Sequence, residues 1–181
     1  MNKVDELYKI FSNINDWLKF AEAKNAILIG FIGTLIGFAL SNISIIPLNL
    51  QWPVKYMFIP IEFAALLISL ASFFPYFEVH KIFNRKGKRR RIKNIKSNKV
   101  NIFYFNSLKN LTRDEIIKYF NIKENECSDN LEVRICIDII DQAIINSRIT
   151  SQKLFLFNIS GCTLLAGLVL IIIKWITIKI F

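Results

Sequence analysis

The chain has 181 residues, 53% of them hydrophobic, with 16 Phe, a mean hydropathy of +0.38 and a net charge of +10. That is too apolar for an ordinary soluble domain and points to a small integral membrane protein of one unit, or a membrane unit with one soluble insert. A single histidine (His80) leaves almost no material for a zinc site. The three cysteines (Cys127, Cys136, Cys162) show neither metal nor redox spacing, so reduced structural thiols and no metal are expected.

Residues 1–25 carry mixed charge with apolar residues at Leu7, Phe11, Ile14, Leu18 and Ala21, a helical spacing, and Trp17 suits a membrane interface. No short apolar run follows a basic start, so a retained N-terminal segment is expected rather than a signal peptide. The first membrane segment is read as 26–46. Gly33 and Gly37 form a small-xxx-small packing face in it, although glycine is common in membrane helices. Pro47, Asn49, Gln51 and Pro53 read as a short turn. The second segment is read as 57–77, with Glu62 as its one ionisable residue. Two readings of Glu62 are open: an intramembrane functional carboxylate, or a solvated interfacial one about one turn from the segment's end.

Residues 78–153 form the insert. Arg85, Lys86, Lys88, Arg89, Arg90, Arg91, Lys93, Lys96 and Lys99 give it nine positive charges with no negative one between them. That run reads as a topology signal and anionic-headgroup contact, at on the order of 1 kcal/mol per charge. Binding of a nucleotide phosphate or of nucleic acid are the alternatives. The lack of interleaved aromatics argues against single-strand stacking, so no nucleic-acid partner is expected. Of the 24 Lys+Arg residues, 17 lie in the insert and one, Lys55, in the loop before the second segment. The positive-inside rule therefore places the N-terminus and insert in the cytoplasm and the tail, 174–181, outside.

Within the insert, Val100 to Phe105 reads as a short extended or buried piece. Thr112-x-x-Glu115 is a capping box opening a helix through about Asn121, and Asp129-x-x-Glu132 is a second one opening a long helix. Val133, Ile137, Ile140 and Ile144 form its apolar stripe. It runs without a break into 154–173, twenty uncharged residues and enough to span a hydrocarbon core. A change in the insert would then be felt in the bilayer. The expected fold is an all-α membrane protein: three transmembrane helices, a mainly helical cytoplasmic insert between spans two and three, and a last span continuous with a long amphipathic helix. The insert, 76 residues long, is near the lower limit for an independent core and is expected to lean on the membrane helices or on copies of itself.

No catalytic residues are expected. The glycines lie in membrane segments or alone at Gly87, and His80 has no nucleophile motif near it, so the chain reads as a non-enzyme without a cofactor. Asp138 and Asp141 read as a solvated helix face, with Arg134 and Asp138 as an i,i+4 pair.

Three pieces in order carry a family resemblance. They are Ala21-Glu-Ala-Lys-Asn-Ala26 at the entry to the first segment; Asn101-Ile-Phe-Tyr-Phe105 with Leu108 and Leu111 to Phe120; and Asp141 to Ile149 with Lys153 before the last span. Together they run from about Trp17 to Ile173. This set resembles the Pycsar transmembrane effectors, a bacterial antiphage family. The basic run is denser than is usual there, and Glu22 stands where Asp is more typical. The resemblance implies an insert that senses a cyclic nucleotide and a membrane part that then impairs the inner membrane.

For that ligand, positions where a cation meets an aromatic or an amide are the candidates: Tyr104, Asn106, Arg113, Arg148 and Lys153, with Lys24 near the same membrane face. Arg148 and Lys153 also read as side chains snorkelling from a helix that enters lipid. Three spans cannot enclose a pore alone, so a homo-oligomer is expected. Its lumen candidates are Ser41, Asn42, Glu62, Ser69, Ser72, Asn158 and Ser160, which equally well hydrogen-bond across helices. Other readings are a membrane scaffold that recruits a cytoplasmic partner, and a ligand-free holin-like toxin. The size of the insert argues against the toxin.

Overall fold

The computed structural model describes residues 3–74, 101–122 and 131–180. The basic run from Arg85 to Lys99, His80 and Cys127 lie outside them. Among the described residues the chain is predominantly helical and has no strands. The elements are α1 (Lys3–Ser41), α2 (Leu48–Pro53), a π-helical stretch (Val54–Phe58), α3 (Ile59–Ala71), α4 (Phe105–Leu108), α5 (Arg113–Tyr119) and α6 (Leu131–Ile180). Three helical runs are long and apolar enough to cross a membrane: α1, residues 48–71 and α6. The expected all-α, three-span architecture is what the chain adopts.

The boundaries differ from the sequence reading in ways that local chemistry explains. The amphipathic N-terminal segment and the first span are one helix, which stops at Ser41 rather than at residue 46. Beyond it the N–H groups of Ile45 and Ile46 both turn back to the Asn42 carbonyl, at 3.0 and 3.3 Å. Pro47, with no N–H of its own, then forces an extended residue (ψ 139°). The expected turn at Pro47 to Pro53 is instead α2, with Pro47 as its N-cap. Pro53 and Pro60 flank the π-helical stretch. Each lacks the N–H that would bond four residues back, and the widened turn between them keeps the run helical. Glu62 therefore lies well inside a 24-residue helical run rather than near its end.

Further on, Asn101 to Tyr104 is a turn rather than an extended piece, because Asn101 Oδ1 accepts the Phe103 N–H at 3.0 Å. The Thr112 capping box is present in both directions. Helix α5 ends on Asn121, whose φ of 49° falls where asparagine is tolerated better than most residues. The second expected box, at Asp129, lies outside the described residues. Helix α6 continues through the expected tail to Ile180.

The described residues form two compact units. The first combines 3–20 of α1, 101–122 and 131–152 of α6. Its core is Leu7, Ile10 and Ile14 with Ile102, Phe105, Leu108, Leu111, Ile116, Ile117 and Phe120, closed by Ile137, Ile140, Ala143 and Ile144. The insert thus leans on the start of α1, which supplies a stripe it could not bury alone. Trp17 lies at this core's edge: its ring is 5.3 Å from Phe105 and 6.2 Å from Tyr104. Cys136 is buried here too, and burial first, then Glu132, pushes its thiol pKa up, as expected of an inert thiol.

The second unit combines 21–74 and 153–180. Ile32, Ala65 and Leu164 form one cluster, and Ala39, Val54 and Phe58 another. Outward residues such as Ile27, Phe31, Phe38, Phe63 and Leu67 are exposed, as lipid-facing positions are.

Candidate functional site

In the first unit the chain from Asn101 to Leu111 packs beside α6 and gathers the candidate ligand residues. Tyr104 caps the N-terminus of α4 and Lys109 caps its C-terminus, one turn apart. The Tyr104 ring is half-exposed and lies 4.8 Å from the buried Phe105 ring, so an aromatic face is offered to solvent from a packed base. Asn106 is exposed, and its carbonyl accepts from Asn110 Nδ2 at 3.1 Å.

Across from this segment, α6 presents Asp141, Ile144, Ser147, Arg148 and Ser151. Ile144 and Ser147 point inward and are buried, and the Ser147 hydroxyl donates to the Ile144 carbonyl at 2.7 Å. Lys109 Nζ donates to Ser151 Oγ at 2.7 Å, and Arg148 Nε donates to the Lys109 carbonyl at 3.4 Å. Burial holds the Lys109 ammonium pKa below the ordinary lysine range.

These contacts sort the expected cations. Arg113 pairs with Asp141, Nη1 to Oδ2 at 3.4 Å. Lys109 and Arg148 stand side by side on neutral acceptors, a hydroxyl and a carbonyl. Lys109 is not among the residues expected from sequence. Its one local signal is a basic residue at the end of a short helix that begins with an exposed aromatic. Asp141, expected on a solvated face, is 41% exposed and is in addition the counter-ion of Arg113.

The second unit holds Lys24 and Lys153. Lys153 Nζ pairs with Glu22 Oε1 at 3.0 Å and lies 5.5 Å from the Phe73 ring centre; Lys24 lies 5.3 Å from that of Phe157. Asn25, fully buried, donates from Nδ2 to the carbonyls of Ala21 at 3.0 Å and Lys153 at 3.3 Å, tying α1 to α6.

Of the expected membrane-packing residues, Glu62, Ser69 and Ser72 are buried, so the reading of Glu62 as a solvated interfacial carboxylate is overturned. Helix α3 turns that side inward and sends Phe63, Leu67 and Leu70 outward. Gly33 and Gly37 are exposed, and among the described residues no other side chain is near enough to touch an added Cβ. Asn42 bonds to the Phe38 carbonyl at 2.9 Å, and Asn158 is exposed. Among the described residues no group of three or more His, Cys, Asp or Glu could hold a metal ion.

Comparison with known protein families matches residues 6–178 to the Pycsar effector protein domain (PycTM). Searches of curated proteins and of solved structures gave no match. With the match covering nearly the whole chain and three membrane-length helices in the fold, this protein belongs to the Pycsar effector family of antiphage membrane proteins.

Proposed function

We propose that the protein is a cyclic-nucleotide-triggered effector that impairs the bacterial inner membrane and so arrests or kills an infected cell. The observation that carries this reading is that Lys109 and Arg148, linked through the Lys109 carbonyl, each rest on a neutral acceptor, with the half-exposed Tyr104 at the other end of α4 from Lys109. A cyclic nucleotide brings one phosphate charge and one flat base, which match two donors and one ring. Each charge-assisted hydrogen bond is worth about 1.5–3 kcal/mol and base stacking about 1–3 kcal/mol. Turning a 1:99 equilibrium into 99:1 requires that about 5.5 kcal/mol of that sum be made in one state and not the other.

The response travels by α6, an uninterrupted helix that supplies residues to both units. Its seam at Ile137, Ile140, Ile144, Ser147 and Ser151 has two packings, and the ligand binds one of them better. The basic insert faces the cytoplasm and anionic headgroups, and the protein does no chemistry of its own. Dye entry into bacteria expressing the protein, with and without a cyclase making cyclic UMP or cyclic CMP, tests the reading. Entry only with a cyclase is expected; entry without one would favour a constitutive toxin.

Ser147→Leu with Ser151→Leu should abolish triggering while the protein stays in the membrane. Ser147 is completely buried, overpacking at such a position costs about 1–3 kcal/mol, and Ser151 is the Lys109 acceptor. An unchanged dye-entry response in the double variant would remove the seam from the account.

Three spans leave most of their surface uncovered, and copies are expected to meet on the open face of α1 at Gly30, Gly33 and Gly37. At Gly33 and Gly37 an added Cβ meets nothing among the described residues, so Gly33→Leu with Gly37→Leu should leave the fold intact and strongly reduce permeabilisation and cross-linking between copies. Full cross-linking and dye entry in that variant would show that copies do not assemble on this face.

A further inference from the structure

Helix α3 buries Glu62 and Ser69 while Phe63, Leu67 and Leu70 of the same helix are exposed. Glu62, Ala65, Ser69 and Ser72 recur at three- and four-residue spacing on the side that meets α6, and all are buried. On α6 the facing residues are Ser160, Leu164 and Gly167: Ser160 Oγ donates to the Ala65 carbonyl at 2.7 Å, and a Cβ added at Gly167 would overlap Glu62 Oε1. The polar residues of this seam run from Glu62 to Ser72, the C-cap of α3, ten steps or about 15 Å of rise and about half of a hydrocarbon core.

Two accounts of such a seam compete. If the polar groups were there to join the helices, their atoms would be spent on interhelical hydrogen bonds. Ser160 is spent in that way. Both Glu62 carboxyl oxygens and the hydroxyls of Ser69 and Ser72 have no hydrogen-bond partner among the described residues. A buried, unanswered carboxyl in a membrane span is costly, and such groups mark ion paths.

We infer that this seam is the route of the leak and that Glu62 is its cation-binding group, so that the membrane damage is a cation-selective conductance rather than a general disordering of the bilayer. The inference rests on the membrane-impairing reading proposed above. In the resting packing, Gly167 lets α6 approach closely enough to cover Glu62. When the α3–α6 seam loosens, the carboxylate and the two hydroxyls become the first polar groups available to a hydrated monovalent cation.

The test is the reversal potential across a planar bilayer of phosphatidylethanolamine and phosphatidylglycerol under a KCl gradient. It uses the full-length protein with cyclic UMP or cyclic CMP. The wild type should reverse near the K+ equilibrium potential, and Glu62→Gln should conduct but reverse near zero. A wild-type current that reverses near zero, or a Glu62→Gln variant as cation-selective as the wild type, overturns this inference and leaves the proposed function standing. No current from the wild type with either nucleotide overturns both. If Glu62→Gln carries no current, Glu62→Asp decides: cation-selective current from it supports the assignment, and a silent or unselective variant overturns it.

Discussion

Replacing Lys109 and Arg148 together by alanine is expected to raise the nucleotide concentration needed for triggering by about 100-fold or more, two lost charge-assisted bonds of about 1.5–3 kcal/mol each. The variant should fold. Arg148 is exposed, and losing its single long bond to a carbonyl falls among changes within about ±0.5 kcal/mol. Lys109 is half-buried, and burial already disfavours its charge in the folded state. Because its folded pKa lies below the unfolded value, the unfolded chain binds that proton more tightly. Native stability therefore rises with pH through the window between the two values, and alanine at 109 removes that rise. Arg113→Ala should have a smaller effect on triggering, since Asp141 already answers its charge. Nucleotide titration of K+ release from vesicles, with calorimetric binding beside it, separates the two. An unchanged midpoint in the double variant would place the ligand elsewhere.

Ile14→Ala is expected to destabilise the insert by about 2–5 kcal/mol, the cost of emptying a well-packed core position. Ile14 lies twelve residues before the first expected span and is completely buried, in the core that holds Phe105 and Ile140. Protease digestion in detergent should therefore cut the insert far faster in this variant. Ile27→Ala, on the same helix but 74% exposed, should leave the rate near that of the wild type. Equal digestion of the two would mean that the start of α1 is not part of the insert's core.

Much of this fold is legible in uncharged length and helical spacing. The run from Leu154 to Ile173 has no reading but a span, and Leu7, Ile14 and Ala21 announce a helix side that must be buried. What that side packs against is set by residues about a hundred positions away, and spacing carries no such information. The same limit hid the partner of Arg113, which comes from α6, and the place of Lys109. Glu62 was visible as the lone charge of its segment, but its depth depends on where the helix begins. Pro47 and Pro53 suggested a turn there; in the fold one caps α2 and the other is absorbed by a π-helical stretch. The Thr112 box was legible because its chemistry is complete within four residues.

The central claim is that a nucleotide bound by the insert opens the membrane part. Its most direct test is K+ release from phosphatidylethanolamine–phosphatidylglycerol vesicles carrying the purified protein, on addition of cyclic UMP or cyclic CMP and nothing else. Saturable release with one of the two, lost in the Lys109→Ala, Arg148→Ala variant, is the expected result. Release that is equal with and without nucleotide, or that persists undiminished in the variant, would contradict it.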